Sequence, residues 1–336
     1  MPLILGAQAL AGVLRMRDAI DLIETMSRHE AAGRTLIAPR QSVPMEGGWM
    51  RLMFAADYEG GYAATKAFHM VRGVGVRYVV SLYRLRDGEL LAVLDGRLIT
   101  DMRTGAASGV AARCLKLPSS VTAGILGSGH QARMQLEALA AALHVTAASV
   151  YSPNAQHRHA FSAEMTRTLD LPVTAVDSAE AAAHGHAVVV VATNTVGAEP
   201  VLRRRWLSEC RVVCAVGSTR RESIEVDAAT FGDAAMVVVD SLLAAEEAGD
   251  LQQAMEKGAL GLERQVTLAQ LVAQGKQTLG GGYAVFKSVG TALQDLALAA
   301  RYYELLQSAG GVLSAPDLAS LKEPVSASGS PCPARH

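Results

Sequence analysis

The sequence is poor in aromatic residues, nearly balanced in charge and low in cysteine. Phenylalanine, tryptophan and tyrosine make up 4% of its 336 residues, and the formal net charge is −1. The chain therefore lacks the base-stacking side chains and the positive field typical of nucleic-acid-binding proteins, and we predict no nucleic-acid partner. Its four cysteines show no metal-ligand spacing, so we predict no metal site.

Long uninterrupted apolar runs are also missing. No run reaches the length that crosses a bilayer, and the first residues lack the basic and then apolar pattern of a secretion signal. Hydrophobic residues make up 50% of the chain and charged residues 19%, which is enough to bury a substantial core. We expect a soluble, cytoplasmic protein with reduced thiols and no membrane partner.

The most informative stretch is an apolar run that enters a glycine-rich turn. Residues 121–126 have the length of a strand, residues 127–132 read Gly-Ser-Gly-His-Gln-Ala, and a helical pattern follows. This order is the fingerprint of a dinucleotide-binding βαβ unit. Gly127 permits the tight turn, Gly129 lets the backbone approach a pyrophosphate, and Ala132 keeps the helix close to the strand. The helix N-terminus then offers N–H groups to the phosphates.

Further apolar runs alternate with helical patterns behind this turn. They are continuous rather than alternating, which indicates parallel strands buried on both faces. The N-terminal residues alternate instead and contain a hairpin signal at Arg86-Asp-Gly88. The predicted fold is α/β: a Rossmann-type doubly wound sheet (118–285) inserted into an α+β domain (1–117 with 286–310). A flexible tail rich in Ser, Pro, Gly and Ala is expected at 311–336.

Three cations are candidates for substrate chemistry. Arg103 is expected in the first turn of a helix capped by Asp101 or Thr100, where an arginine opposes the helix dipole. Such a placement suggests an anionic partner such as a substrate carboxylate, although a surface salt bridge also explains it. Lys66, in an apolar run, either faces solvent or projects into a pocket where it could donate a proton or bind a carboxylate. Arg40, in a loop, is a third candidate.

The end of the second strand of the dinucleotide unit bears on the choice of cofactor. A carboxylate there would bind the ribose 2′-hydroxyl of NAD, but the sequence has Ser152, followed by Asn154, His157 and Arg158. These side chains could bind a 2′-phosphate, so NADP is favoured over NAD. The alternative is that His157 and Arg158 lie on the solvated face of the next helix.

Eight short motifs resemble, in order, those of the ornithine cyclodeaminase/mu-crystallin family. They are Ala64-Thr-Lys-Ala67, Arg103-Thr-Gly-Ala-Ala-Ser108, Gly127-Ser-Gly-His-Gln-Ala132, Ala192-Thr-Asn194, Ala215-Val-Gly-Ser218, Val239-Asp-Ser241, Gly249-Asp250 and Val285-Phe-Lys-Ser-Val-Gly290. The resemblance implies a homodimer in which the first domain and the last helix form the substrate-binding and dimerisation part.

The resemblance also implies roles for individual residues. Arg40, Lys66 and Arg103 would surround the substrate carboxylate. From the chemistry of imine reduction we expect Lys66 and Arg103 to be the catalytic residues, with Lys66 or a bound water as the proton source. The expected cofactor contacts, together with Ser152 and Arg158, are Thr104, Gly127, Ser128, Gly129, His130, Gln131, Ala132, Thr193, Asn194 and Ser288. Ser288 is also a candidate cap of the last helix, and Lys287 beside it is equally well explained as a surface lysine.

The sequence departs from the cyclodeaminase pattern at one position. Ornithine cyclodeaminases carry an aspartate directly after a Val-Gly-x step, where it holds the side-chain amine, and we expect Ser218 in its place at the substrate. A neutral hydroxyl cannot neutralise a buried ammonium. We therefore expect NAD(P)H-dependent reduction of a small, cyclic α-imino acid, as in mu-crystallin-like ketimine reductases. The alternatives are an NAD-dependent amino-acid cyclodeaminase or dehydrogenase, and a non-catalytic protein that binds small ligands.

Overall fold

The computed structural model describes residues 1–195, 197, 199–308 and 313–314. Its strands are β1 (Leu3–Leu5), β2 (Thr35–Ile37), β3 (Gln41–Met45), β4 (Gly48–Asp57), β5 (Tyr62–Val71), β6 (Gly75–Arg84), β7 (Leu90–Asp95), β8 (Val121–Leu126), β9 (Val145–Tyr151), β10 (Val173–Ala175), β11 (Val188–Val191), β12 (Val212–Ala215), β13 (Met236–Val239), β14 (Gln265–Thr267), β15 (Ala284–Lys287) and β16 (Leu313–Ser314). The α-helices are α1 (Ala7–Leu10), α2 (Met16–Ala31), α3 (Gly96–Arg113), α4 (His130–Ala142), α5 (Ala155–Leu169), α6 (Ala179–Ala183), α7 (Ala228–Gly232), α8 (Ala244–Glu247), α9 (Gly249–Glu256), α10 (Leu268–Gln274) and α11 (Ala292–Leu306).

The first sheet is mostly antiparallel and follows the order β16-β1-β7-β6-β5-β4-β2, with β3 paired to β4. Its long strands alternate between a buried and a more exposed face, as a half-buried sheet requires. The hairpin predicted at Arg86-Asp-Gly88 joins β6 to β7. Helix α11 packs on β4 and β5 and closes the buried face of this sheet.

The second sheet is parallel throughout, in the order β10-β9-β8-β11-β12-β15-β13-β14. Its valine-rich strands are buried on both faces, which confirms the predicted α/β fold. The chain runs outward from β8 to β10 and returns on the other side at β11. The carboxyl ends of β8 and β11 therefore flank a switch point, the place where such sheets bind ligands. The boundary expected after residue 285 falls inside β15, which pairs with β12 and β13 as far as Lys287.

Two helix starts differ from the sequence-based expectation. Helix α3 begins at Gly96, because the carboxylate of Asp95 accepts the Arg97 N–H and caps the first turn. Arg103 therefore lies in the middle of the helix rather than in its first turn, and the helix-dipole argument does not apply to it. Helix α11 is capped by Thr291 and not by Ser288.

The tail expected at 311–336 lies outside the described residues except for 313–314, which pair with β1 in antiparallel fashion. Within the described part of the chain, none of the helices combines the length and apolar character that a bilayer crossing needs.

Candidate active site

A cavity of about 250 Å³ lies between strands of the first sheet and the segments that follow β12 and β15 of the second sheet. Six of the residues predicted from the sequence line it: Arg40, Lys66, Arg103, Thr104, Gln131 and Ser288. They come from a loop, from β5, from α3 and from the first turn of α4, and from the segment after β15. The fold thus brings the three candidate cations to one end of the predicted cofactor turn.

Lys66 projects from β5 into this cavity and is only 2% exposed. Its Nζ donates to Thr100 Oγ1 at 2.7 Å and to Asp295 Oδ1 at 2.9 Å. Burial lowers the pKa of Lys66 to about 8; Asp295 opposes this shift, and the charge of Arg103 adds to it. Of the two placements considered for Lys66, the pocket is the one found. Its amine can exchange a proton close to neutral pH.

Arg103 reaches the same cavity from α3 and is also buried. Its Nη1 donates to Gln294 Oε1 at 3.2 Å, and its Nε lies 3.4 Å from Asp295 Oδ1 without forming a hydrogen bond among the described residues. Gly290 has a φ of +80°, and a Cβ at this position would collide with the guanidinium. Gly290 therefore leaves space for the guanidinium of Arg103, which still has an N–H group without a hydrogen-bond partner among the described residues.

Arg40 is held more tightly than the other two cations. Its Nη1 lies 2.5 Å from a carboxylate oxygen of Glu247, and its Nη2 donates to the carbonyls of Val289 at 3.0 Å and Gly290 at 2.9 Å. Arg40 thus fastens the loop before β3 to the turn after β15. Both Nη atoms are engaged and only Nε lacks a partner among the described residues, so Arg40 mainly shapes the cavity.

The hydrogen-bond partner Gln294 and the counter-ion Asp295 of this cluster were missed by sequence reasoning. Gln294 and Asp295 lie in the first turns of α11, and both are buried. The signal was present as a polar pair inside an otherwise apolar helical stretch. Buried polar groups normally have partners, so such a pair indicates neighbours that sequence cannot name.

The glycine-rich turn has the geometry that a dinucleotide requires. Gly127 has a φ of +109°, as the tight turn demands. Helix α4 begins at His130, and its N-cap Gly129 provides no side-chain cap. A Cβ on Gly129 would meet no atom within 4 Å, so open space lies in front of the uncapped N–H groups. These residues therefore fit a pyrophosphate at the helix N-terminus.

Side chains of α4 connect the turn to α3. Gln131 Nε2 donates to Asp101 Oδ1 at 2.9 Å, and His130 Nε2 lies 2.9 Å from Arg97 Nη2. Thr104 lies below them, with its hydroxyl bonded to the backbone of its own helix. Ala132 is fully buried. The turn is thereby held in register with the helix that carries Arg103.

The predicted ribose-binding residues lie beside the turn. Ser128 Oγ donates to Ser152 Oγ at 2.9 Å. Arg158 donates to the Ser152 carbonyl at 3.2 Å and to Asp177 Oδ1 at 2.7 Å. Asn154 caps α5 by accepting the His157 N–H. The guanidinium of Arg158 is therefore directed towards the turn, although an exposed carboxylate accompanies it.

Ser218 was expected at the substrate, but it does not lie at the cavity. Its hydroxyl accepts the Arg220 N–H at 3.1 Å inside a local turn. Thr219 lines the cavity instead. Thr219 is also the residue that directly follows Val216-Gly217-Ser218, so the neutral hydroxyl at the cavity belongs to Thr219.

Lys287 is not a surface lysine, because it is 0% exposed. Its Nζ donates to Asp250 Oδ2 at 2.7 Å and to the Ser218 carbonyl at 3.0 Å. Asp250 also accepts the Glu225 N–H at 2.7 Å, and Glu225 accepts the Thr193 hydroxyl. Burial raises the pKa of the Glu225 carboxyl. This network ties together the carboxyl ends of β11, β12 and β15.

The two remaining predicted cofactor residues are already engaged. Ser288 donates to Asp240 Oδ2 at 2.6 Å, and Asp240 also accepts the N–H groups of Val289 and Gly290. Asn194 Oδ1 accepts a hydrogen bond from Arg220 at 3.0 Å. Ser288 thus holds the turn that receives Arg40 and Arg103 while still bordering the cavity.

Two known proteins are similar to this chain over most of its length. An alanine dehydrogenase from Archaeoglobus fulgidus is 30% identical over 312 residues, which cover 90% of this chain and 94% of that protein. A Delta(1)-pyrroline-2-carboxylate reductase from Bacillus cereus is 29% identical over 314 residues, which cover 90% of this chain and 96% of that protein.

The same architecture occurs in a solved structure. Delta(1)-pyrroline-2-carboxylate reductase from Thermococcus litoralis, in complex with NADH and L-proline, matches with a TM-score of 0.87 and 30% identity. The match covers 93% of this chain and 100% of that one. The sequence profile of the ornithine cyclodeaminase/mu-crystallin family covers residues 2–310. The resemblance drawn from the eight motifs is therefore confirmed, and the chain belongs to the ornithine cyclodeaminase/mu-crystallin family.

Proposed function

We propose that this protein reduces a small, cyclic α-imino acid to the amino acid with a reduced nicotinamide dinucleotide. The observation that carries the proposal is the meeting of Lys66 and Arg103 in one cavity, beside Gln131 of the cofactor turn. A carboxylate-binding guanidinium and an amine with a pKa of about 8 are the groups that imine reduction needs. The activities of the Bacillus cereus and Thermococcus litoralis relatives support it.

Each residue has a distinct part in this reaction. When bound, the reduced nicotinamide supplies a hydride to the carbon of the C=N bond. Arg103 binds the substrate carboxylate through the donors that the protein leaves unused. Lys66 holds a proton for the imine nitrogen, which becomes the amine nitrogen as the C=N bond becomes single. Met53 and Phe68 line the cavity and exclude water from it.

Thr219 argues against ornithine as the substrate. A cyclodeaminase needs a carboxylate to hold a side-chain ammonium, and the residue that lines the cavity at this point is neutral. Oxidation of a simple amino acid is a second candidate, since the alanine dehydrogenase of Archaeoglobus fulgidus is 30% identical. That reaction uses the same residues in the reverse direction, with Lys66 accepting the proton.

NADP is the proposed cofactor. Support comes from Arg158, which lies beside Ser152 and has a buried Nε without a hydrogen-bond partner among the described residues. A 2′-phosphate offers an acceptor for this Nε and a second charged partner for the guanidinium. The carboxylate of Asp177 is almost fully exposed and can turn away into water.

A homodimer is the proposed assembly. Apolar side chains are exposed on the face of the first sheet that points away from Lys66; these are Leu36, Val43, Leu52, Phe54 and Val79. An apolar patch of this kind on a soluble domain marks a protein contact. We expect Leu52→Glu to convert a dimer into a monomer in light-scattering measurements, whereas a monomeric wild-type protein would contradict the proposal.

Steady-state kinetics test the proposed reaction. Five- and six-membered cyclic ketimine carboxylates should consume NADPH with saturable kinetics, and ornithine with the oxidised cofactor should not form proline and ammonia at a comparable rate. Robust ornithine turnover would overturn the reductase assignment. Cofactor binding without turnover of any imino or amino acid would favour the non-catalytic ligand-binding alternative.

A further inference from the structure

Arg51 is a fourth cation at the cavity, and neither the motifs nor the proposed mechanism uses it. In the pairing of β4 with β5, Met53 lies opposite Lys66, and Arg51 lies opposite Phe68. Because residues two apart on a strand share a face, Arg51 is on the same face as Lys66, one row further out. It lines both the inner cavity and an adjoining outer cavity of about 490 Å³.

No carboxylate oxygen lies within 4 Å of the Arg51 guanidinium in residues 1–195, 197 and 199–308, and the charges of Glu247 and Glu222 act on it only from a greater distance. The Nε of Arg51 is buried without a hydrogen-bond partner among those residues. Its side chain lies against the Trp49 ring, with Cζ 4.4 Å from the ring centroid, which orients the guanidinium plane. Burial lowers the pKa of Arg51, and the nearby charge of Arg40 adds to the effect. A half-buried guanidinium whose buried Nε has no hydrogen-bond partner is stabilised by an anion.

The other arginines of the outer cavity differ in this respect. Arg40 is paired with Glu247, Arg220 donates to Asn194, and Arg221 donates to the backbone carbonyl of Glu246. Arg40 also has a buried Nε without a partner, but its Nη1 is paired with Glu247. Among the arginines of the outer cavity, Arg51 is therefore the one with neither a hydrogen bond nor an ion pair within the described residues.

We infer that Arg51 binds a second anionic group of the substrate, so that the preferred substrates are α-imino dicarboxylic acids. This inference rests on the proposed imine reduction and refines it. Arg103 would hold the carboxylate next to the imine carbon, while Arg51 would hold a carboxylate on the far side of the ring or chain. Planar guanidinium groups bind carboxylates bidentately, which makes the selection sensitive to charge and to position.

A substrate with a distal ammonium is the opposing possibility, because Glu222, Glu246 and Glu247 also line the outer cavity. Glu222 and Glu246 are exposed, so water already solvates their charges, and Glu247 is already paired with Arg40. A solvated carboxylate gains little from a new ion pair, whereas the buried Nε of Arg51 gains a hydrogen bond that water does not supply. The balance of desolvation therefore favours an anionic substituent.

Three ring substrates that differ in one substituent test the inference. They are the six-membered cyclic ketimine 2-carboxylate, its derivative with a second carboxylate at position 6, and the matching 6-carboxamide, which has the same shape without the charge. We expect kcat/KM for the dicarboxylate to exceed that of the other two by about 10- to 100-fold, the range of a charge-assisted hydrogen bond. Arg51→Gln should remove most of this advantage, with a much smaller loss for the 2-carboxylate.

Arg221→Gln is the matched control, because it removes a guanidinium from the same outer cavity and should keep the dicarboxylate preference. Arg51→Lys, which keeps the charge but loses the planar fork, should restore part of it. Equal kcat/KM for the dicarboxylate and the carboxamide in the wild-type protein would overturn the inference while leaving imine reduction intact. Failure to reduce any of the three rings, or open-chain imino acids formed from 2-oxo acids and ammonia, would instead contradict the proposed function.

Discussion

The cofactor turn and the cation cluster lie side by side but are built in opposite ways. The turn consists of consecutive residues and presents backbone N–H groups at the start of α4. The cluster gathers Arg40, Lys66 and Arg103 from three separate elements and depends on side chains. Its charges are held by Asp295 of α11 and Glu247 of α8.

The difference shows where each site is vulnerable. A site made of backbone N–H groups loses its ligand when a new side chain fills the space in front of them, whereas the charges of nearby side chains have little effect. A side-chain site fails when either a cation or its counter-ion is removed, because a buried unpaired charge is costly. The turn should therefore respond to steric changes, and the cluster to changes of charge.

The largest effect is expected at the turn. Gly129→Val should abolish NADPH binding in a fluorescence titration, because the side chain would occupy the open space before the helix N-terminus. Its φ of −82° suits any residue, so the thermal unfolding midpoint should stay near that of the wild type. Gly127→Val is the contrasting variant: its φ is +109°, and its Cβ would collide with the Ala192 carbonyl, so it should destabilise the fold itself. If the Gly129 variant bound NADPH with wild-type affinity, the pyrophosphate could not bind at this turn.

A large but purely catalytic loss is expected at the cluster. Arg103→Met should lower kcat/KM by orders of magnitude, since losing one partner of a buried charge pair costs about 2–5 kcal/mol. NADPH binding should change far less. Arg113→Met, on the same helix but paired with Asp21 and Glu24 near the surface, is the control and should keep wild-type kinetics. Near-normal turnover by the Arg103 variant would mean that the substrate carboxylate binds elsewhere.

A pH profile separates the two sites further. Reduction needs protonated Lys66, and its pKa is lowered to about 8 by burial, so kcat/KM for reduction should fall as the pH rises through about 8. Oxidation of the amino acid product should rise over the same range. Asp295→Asn removes the charge that raises the Lys66 pKa, so both limbs should move to lower pH, while cofactor affinity stays nearly flat. Limbs that do not move in this variant would assign the titration to another group.

The smallest effect is expected at the ribose end of the cofactor site. NADPH should be preferred over NADH in kcat/KM, and Arg158→Gln should reduce that preference. Asp177→Asn should raise it by roughly 2- to 5-fold, because this exposed ion pair competes only weakly for the guanidinium. A wild-type preference for NADH would place ribose selection outside Ser152 and Arg158.

Local patterns were enough to predict much of the fold. The apolar run at residues 121–126 is strand β8, and Arg86-Asp-Gly88 lies in the hairpin between β6 and β7. The predicted start of helix α3 was several residues too late. The early part of Gly96–Arg113 mixes glycine, threonine and charged residues, which hide the helical periodicity of its apolar residues. Its cap, Asp95, closes β7 and reads as the end of a strand.

The sequence by itself determined the βαβ unit, the glycine turn and the identity of the candidate cations, because these depend on neighbours within a few positions. Only the tertiary structure decided which charges are paired. Lys66 and Asp295 are 229 residues apart in sequence, and Lys287 and Asp250 are 37 apart. Sheet pairing and helix packing set such distances, and with them the desolvation that lowers the pKa of Lys66 and leaves Arg51 without an acceptor in the described residues.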